Sequence, residues 1–200
     1  MRQNTKALWL WLCLGLGLGL LALPAQAREV EGVRYEESID VAGAKLQLNG
    51  AGTRYKAVFK VYTAGLYLGK KAATPADVLA MAGPRRLTLT FVREIDAEEL
   101  GRLFIRGIKA NTPNEEYGRI LTSVMRMSQI FYESKRLKVG DVINIDWVPG
   151  KGTLITIRGK SVGEPFVEPE FYNAMLRIWL GPDPADWQLK DALLGQTAAR

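Results

Sequence analysis

An arginine and a tyrosine within residues 46–68 have the chemistry needed to bind an acidic molecule. Arg54 and Tyr62 are eight residues apart, so in an uninterrupted β-strand they would face the same side of a sheet. A guanidinium can hold a carboxylate through two parallel hydrogen bonds, and a phenol can donate another. The same count places Lys56 and Lys60 on that side, which fits a solvated basic face instead. A bulge between them would change the register, so both interpretations stay open.

Several other kinds of chemistry are excluded by composition. The chain has no histidine and a single cysteine, Cys13, which lies in its apolar N-terminal segment. Thiolate and imidazole groups are the usual ligands of zinc and the usual partners in nucleophilic catalysis. We therefore expect neither a metal nor a cofactor. The net charge is +6, but the basic residues are scattered singly or in pairs. Nucleic-acid binding usually needs a focused basic face, and we expect no nucleic-acid partner.

The first 27 residues have the pattern of a signal peptide. Arg2 and Lys6 precede an apolar run over residues 7–23, and Ala25-Gln26-Ala27 fits the A-x-A cleavage pattern. An uncleaved anchor is the alternative, because about 17 apolar residues approach the minimum for a membrane span. The glycines in the run and the small residues after it favour cleavage. We expect a periplasmic or secreted protein in which residues 28–200 form one domain, with no integral membrane span after cleavage.

Turn residues and alternating apolar residues predict an antiparallel sheet. Asn49-Gly50-Ala51-Gly52 predicts a hairpin turn between a strand at 45–48 and one at 54–68. Leu87, Leu89 and Phe91 alternate with polar neighbours and predict a strand over 85–92. Pro149-Gly150-Lys151-Gly152 predicts a second hairpin, which joins strands at 142–148 and 153–158.

Helix start signals predict five helices. Thr74 followed by Pro75 predicts a short helix, and Asp96 followed by Glu99 predicts a longer one. Thr112, followed by proline and by Glu115, predicts a capping box at the start of a third helix. Two further helices are predicted over 170–180 and 187–194. The order of elements predicts an α+β fold, an antiparallel β-sheet covered on one face by a layer of helices.

Four segments of the chain form a distinctive set: the arginine-bearing strand that ends in VYTAGLYL, RGIKANTPNEEY at 106–117, VGDVI with PGKGTLITIRGK within 139–160, and IWLG at 178–181. Together they resemble the chalcone isomerase-like family, whose members are either isomerases or non-catalytic binders of fatty acids. The resemblance covers roughly residues 40–195. It implies the same fold, an open-faced β-sandwich, and it implies that Arg54 lies in the ligand cleft.

The resemblance also implies two further ligand contacts. Tyr117 matches a ligand-facing tyrosine that follows a loop before a helix, and Lys109 matches a lysine near the cleft. The residues alone favour other interpretations, because Tyr117 lies on an apolar helix stripe and Lys109 is typical of a solvated lysine.

Three positions depart from the pattern of the plant-type isomerases. Tyr62 stands where those enzymes have a threonine, Val124 where they have an asparagine, and Ile178 where they have another threonine. Isomerisation requires hydrogen bonds to the developing enolate, and losing one such donor costs about a hundredfold or more in rate. Apolar side chains at 124 and 178 suit an acyl chain instead, with Arg54 and Tyr62 at its head group.

Three functions follow as alternatives. The expected one is non-enzymatic binding of fatty acids or similar apolar carboxylates. The second is an isomerase or intramolecular lyase acting on a small phenolic substrate. The third is an envelope scaffold or interaction protein whose cleft is filled by its own side chains, which the absence of a cavity near Arg54 would favour. The sequence leaves the oligomeric state open.

Overall fold

A seven-stranded antiparallel sheet forms the centre of the protein, whose computed structural model describes residues 27–196. The sheet has the order β11-β10-β9-β6-β5-β4-β3. Its strands are β3 (Ser38–Val41), β4 (Ala44–Lys56), β5 (Phe59–Leu68), β6 (Arg85–Phe91), β9 (Val142–Val148), β10 (Gly152–Ile157) and β11 (Lys160–Ser161). Two small two-stranded sheets accompany it, formed by β1 (Arg28–Val30) with β2 (Val33–Tyr35) and by β7 (Ile95–Asp96) with β8 (Arg136–Leu137).

Five helices are present in this part of the chain: α1 (Pro75–Leu79), α2 (Ala97–Asn111), α3 (Asn114–Ser134), α4 (Pro169–Leu180) and α5 (Trp187–Leu193). The predicted caps of the first two are confirmed. The Thr74 side chain accepts a hydrogen bond from the amide of Asp77, and the Asp96 side chain accepts from the amides of Glu98 and Glu99. These bonds satisfy backbone N–H groups that the first turn of a helix leaves unpaired.

The predicted capping box at Thr112 is wrong. Helix α3 begins one residue later than predicted, because its first backbone hydrogen bond runs from the amide of Tyr117 to the carbonyl of Pro113. Pro113 is therefore the N-cap residue, and Thr112 is instead the C-cap of α2. The Thr112 hydroxyl is buried and has no hydrogen-bond partner within the described residues.

The helices cover one face of the sheet, as the sequence predicts. The larger apolar core lies between that face and the helices and includes Leu66, Leu89, Phe104, Phe131 and Met175, which are at most 6% exposed. A smaller core lies on the opposite face around Tyr35, Leu48 and Tyr67. The N-terminal hairpin of β1 and β2, which the sequence analysis did not predict, contributes Tyr35 to that second core.

The predicted hairpin turn at residues 49–52 is wrong, because β4 continues through it to Lys56. The turn lies at residues 57–58, where Ala57 has a φ of 54°. Gly50 and Gly52 lie under helix α5, and a Cβ added at Gly52 would come within 2.6 Å of the Ala192 Cβ. The glycines thus allow close packing of helix against strand and do not form a turn.

The predicted signal peptide cannot be compared with the structure, because residues 1–26 lie outside the described residues. Between residues 27 and 196, none of the helices is both long enough and apolar enough to cross a membrane.

Candidate ligand-binding site

A β-bulge brings Arg54 and Tyr62 together on the helix-covered face of the sheet. Arg54 in β4 pairs directly with Tyr62 in β5, whereas the next residue, Tyr55, pairs with Lys60. Val61 is therefore the extra residue of the bulge, and it changes the alternation of side chains beyond this point. Lys60 is exposed near the end of the hairpin, whereas its partner Tyr55 is half-buried, and Arg54 and Tyr62 turn towards the core.

Arg54 and Tyr62 lie on the wall of a cavity of about 250 Å³ between the sheet and helices α2 and α4. The wall is mostly apolar, and the residues that form it include Val61, Leu89, Phe104, Met127, Met175 and Ile178. Four solvent-exposed residues also line the cavity and mark its mouth, namely Lys56, Arg106, Ala110 and Asp183. An apolar cavity with a few convergent polar groups is the usual form of a small-molecule site.

The Arg54 guanidinium is mostly buried and has an internal counterion. Its side chain is 18% exposed, and its Nη1 lies 3.7 Å from Oδ2 of Asp186. That distance is too long for a hydrogen bond, so the pair is a charge contact that leaves N–H groups for a ligand oxygen. Asp186 offsets part of the cost of burying the Arg54 charge, so a ligand carboxylate would be its second counterion.

Asp186 is fixed by the backbone as well as by Arg54. Its Oδ1 accepts from the amide of Leu189 over 3.1 Å, which caps helix α5, and its Oδ2 accepts from the amide of Tyr55 over 2.9 Å. One carboxylate thus joins the start of α5 to strand β4. Because Asp186 has these two backbone donors, it does not depend on Arg54 alone for its stability in the fold.

Tyr62 can donate a hydrogen bond next to the guanidinium. Its hydroxyl oxygen accepts a hydrogen bond from Nε1 of Trp179 over 2.8 Å. Burial raises the pKa of the Tyr62 hydroxyl above its ordinary value, and the bond from Trp179 and the positive charge of Arg54 offset only part of that increase. The phenol is therefore neutral at pH 7. Since its oxygen is already used as an acceptor, its own proton is left to donate towards the cavity.

The segment that forms one side of the mouth is fastened to helix α2 by Asn111. The Asn111 side chain donates to the carbonyls of Gly107 and Asp183, and it accepts from the amide of Asp183. Both bonds to Asp183 are 2.8 Å long. Asn111 is 5% exposed, so this clamp is shielded from water and holds residues 181–186 in place beside Arg54.

Comparison with known proteins agrees with this architecture. A sequence model described as chalcone isomerase-like matches residues 27–195, which is most of the chain. The chain belongs to the chalcone isomerase-like family. A search of curated proteins finds no match to this chalcone isomerase-like protein.

This chalcone isomerase-like protein is also similar in fold to a solved structure. That structure is the crystal structure of a fatty-acid binding protein from Arabidopsis thaliana, and the match has a TM-score of 0.63 and 17% sequence identity. The match covers 84% of this chain and 96% of the plant chain. The family assignment and the α+β fold predicted from the sequence are thereby confirmed.

The structure brings three of the six predicted ligand-binding residues to the cavity of this chalcone isomerase-like protein, namely Arg54, Tyr62 and Ile178. It does not bring the other three there. Tyr117 is partly buried and packs against the core, Lys109 is exposed on α2, and Val124 is 1% exposed within the core. None of these three is among the residues that line the cavity, so we leave them out of the proposed site.

Two polar residues of the site were missed by sequence reasoning. Trp179 follows Ile178 directly and binds the Tyr62 hydroxyl, and Asp186 precedes the predicted start of α5. An N-cap aspartate is recognisable from sequence, and that signal could have located Asp186. Its proximity to Arg54 depends on how α5 packs against β4, which the chalcone isomerase-like motifs do not encode.

Proposed function

We propose that this protein is a non-enzymatic, periplasmic binder of fatty acids or similar apolar carboxylates. The observation that carries the proposal is the apolar cavity with Arg54 and Tyr62 side by side on its wall. The guanidinium would pair with the carboxylate of the ligand, and the neutral Tyr62 hydroxyl would donate a second hydrogen bond. The similarity in fold to a fatty-acid binding protein supports the same function.

The size of the cavity favours acids of medium length. A cavity of about 150 Å³ in another protein holds benzene, which corresponds to roughly 25 Å³ for each heavy atom. By this measure the 250 Å³ cavity holds roughly ten heavy atoms. A saturated acid of about ten carbons would fill it with its carboxylate near the mouth, whereas a longer acid would fit only with its carboxylate displaced from Arg54 towards solvent.

Titration of the delipidated protein with saturated acids of increasing length tests this proposal. Each methylene that enters the cavity contributes about 0.8 kcal/mol, so the affinity should rise about fourfold for each carbon. The increase should stop at about ten carbons, where the cavity is full. If the protein takes up no long-chain or medium-chain acid to saturation, the proposed function is wrong. Mass spectrometry of co-purifying small molecules gives an independent test.

The two alternative functions are separated by different measurements. Turnover of a chalcone faster than its spontaneous ring closure would favour an isomerase, which needs donors where the enolate charge develops. A scaffold would be favoured by a cleft filled by its own side chains, whereas this structure has a cavity beside Arg54. Export to the periplasm predicts a mature N-terminus at Arg28, which N-terminal sequencing of the purified protein would detect.

A further inference from the structure

Large apolar side chains are exposed together at one end of the sheet. Val58 is 82% exposed and Phe59 is 57% exposed at the turn between β4 and β5, and Val139 is 67% exposed in the turn before β9. The amide of Gly140 donates to the carbonyl of Phe91, which places the second turn beside the end of β6. Both turns therefore belong to the same end of the sheet.

Trp187 extends this surface towards the cavity. It is 59% exposed and shares a shallow surface hollow with Tyr55 and Ala57, and Ala57 directly precedes Val58. We call the four exposed side chains Val58, Phe59, Val139 and Trp187 the apolar edge. Contiguous exposed apolar groups on a folded protein are characteristic of interaction sites.

The side chains near the apolar edge that form no ion pair in the described part of the chain are mostly basic, although Asp96 at the start of α2 and Asp183 at the cavity mouth are acidic and exposed. Four acidic side chains at this end form ion pairs with basic neighbours, in the pairs Glu31–Lys60, Glu94–Arg136, Glu99–Lys56 and Asp141–Arg158. Arg93, Lys138 and Lys160 lie at the same end and form no ion pair within residues 27–196. The guanidinium carbon of Arg93 also lies 4.8 Å from the centre of the Phe59 ring. Aromatic and aliphatic side chains flanked by lysine and arginine are the composition that binds anionic membrane surfaces.

The apolar edge is continuous with the mouth of the cavity. Lys56 lines the cavity, as does Arg54 two residues before it. The turn that carries Val58 follows Lys56 directly along the chain. A molecule that leaves a lipid surface at this edge would reach the guanidinium without a long passage through water. This transfer of an acid to Arg54 rests on the proposed function, whereas the exposure and the charge of the edge do not.

We propose that the apolar edge docks the protein onto an anionic lipid surface. Val58, Phe59 and Trp187 enter the interface between head groups and acyl chains, where aromatic rings are favoured. Arg93 and Lys138 meet the phosphate groups around them. The mouth of the cavity then faces the membrane, and acids exchange between bilayer and protein at the point of contact.

Flotation of the purified protein with lipid vesicles tests the docking surface. We expect the protein to float with vesicles of phosphatidylcholine that contain phosphatidylglycerol and to bind vesicles of pure phosphatidylcholine much more weakly. The double variant Val58→Ser/Phe59→Ser should lose about tenfold or more in vesicle binding, because less apolar surface enters the bilayer. Val167→Ser is the matched control, since Val167 is 71% exposed and follows Phe166, which pairs with Thr153 at the opposite end of the sheet.

Charge is tested in the same way. Lys138→Gln and Lys160→Gln should each reduce binding to anionic vesicles by about fivefold. Lys151→Gln is the control, because Lys151 is exposed in the turn at the other end of the sheet. Raising the salt concentration should weaken the binding of the unchanged protein through screening.

Three results would overturn the docking proposal. The first is a failure of the unchanged protein to float with anionic vesicles, and the second is equal binding by the Val58→Ser/Phe59→Ser variant. Self-association through the same edge would also contradict it, and sedimentation would detect this as a dimer that the variant loses. Free decanoate binding should be unchanged in the variant. If the unchanged protein binds vesicles but no acid, the proposed function fails and the docking surface stands.

Discussion

Replacing Arg54 by methionine should remove the head-group affinity and leave the apolar part of the site intact. Methionine keeps a flexible apolar stem but has no charge and no donor. A hydrogen bond to a charged group contributes about 1.5–3 kcal/mol, which corresponds to roughly tenfold to 150-fold in Kd for decanoate. The Arg54 side chain is 18% exposed, so water screens part of the interaction and the loss should lie in the lower half of this range.

The ion pair with Asp186 determines what the same substitution does to stability. Without the guanidinium, a carboxylate that is 10% exposed loses its charge partner. It keeps the amides of Tyr55 and Leu189 as donors, so the free energy of unfolding should fall by only about 1–2 kcal/mol. A buried pair broken without such donors would cost about 3–5 kcal/mol.

Asp186→Asn separates the effect of the ion pair on decanoate affinity from its effect on stability. Asparagine is also a good N-cap residue, so helix α5 should remain, at a cost of about 1 kcal/mol for one lost acceptor. The internal carboxylate no longer competes for Arg54, and decanoate should bind several-fold more tightly. In the double variant Arg54→Met/Asp186→Asn, stability should partly recover whereas decanoate affinity should not. Calorimetric titration gives the affinities, and urea unfolding gives the stabilities.

Arg106→Met is the matched control, because Arg106 lines the mouth but is exposed. It should change decanoate affinity much less than Arg54→Met does. If Arg54→Met binds decanoate within about twofold of the unchanged protein, the guanidinium takes no part in binding. The head-group assignment would then be wrong, even if the cavity still holds the acyl chain.

Three further predictions concern the cavity, the last helix and alkaline pH. Met175→Ala enlarges the cavity, so the preferred acid should become about two carbons longer, and calorimetric titration should show this while stability falls by about 2–5 kcal/mol. Gly52→Ala should destabilise the protein by about 1–3 kcal/mol in urea unfolding, because its Cβ would lie 2.6 Å from that of Ala192. Gly69→Ala is its control, since nothing lies within 4 Å of the added Cβ. Burial raises the pKa of Tyr67 to about 12, whereas the unfolded chain ionises at about 10. The unfolded state then binds fewer protons, so the contribution of Tyr67 to stability should be constant below about pH 10 and fall as the pH rises towards 12. Urea midpoints measured along this range check it, and the decline should be smaller in Tyr67→Phe.

Local patterns predicted most of the helices and the central strands. Helix α1, helix α2 and strand β6 begin within a residue of their predicted positions, because caps and alternating apolar residues act over a few residues. The turn at residues 49–52 was wrong for a physical reason. Glycine permits both a tight turn and close helix packing, and only the position of α5 shows which of the two applies to Gly50 and Gly52.

The binding site was predicted only as far as the sequence places residues near one another. Equal parity in one uninterrupted strand put Arg54 and Tyr62 on one face. They do share a face, but the single strand was wrong, because the chain turns at residues 57–58 and the two residues are partners across the hairpin. The bulge at Val61, which separates Tyr62 from the exposed Lys60, leaves no signal in the residue types. Trp179 and Asp186 come from the last two helices, and their contacts with β4 and β5 arise from tertiary packing.

The contact between β4 and α5 joins segments that are made far apart in time. The Gly50–Gly52 segment of β4 is covered by α5, and the Asn49 side-chain amide donates to the carbonyl of Leu193, which is 144 residues later in the chain. Until α5 has been synthesised, the Gly50–Gly52 backbone of β4 is uncovered and can contact other chains. A nascent or truncated polypeptide that stops before residue 187 would therefore be a substrate for chaperones and proteases, although most of its strands are already complete.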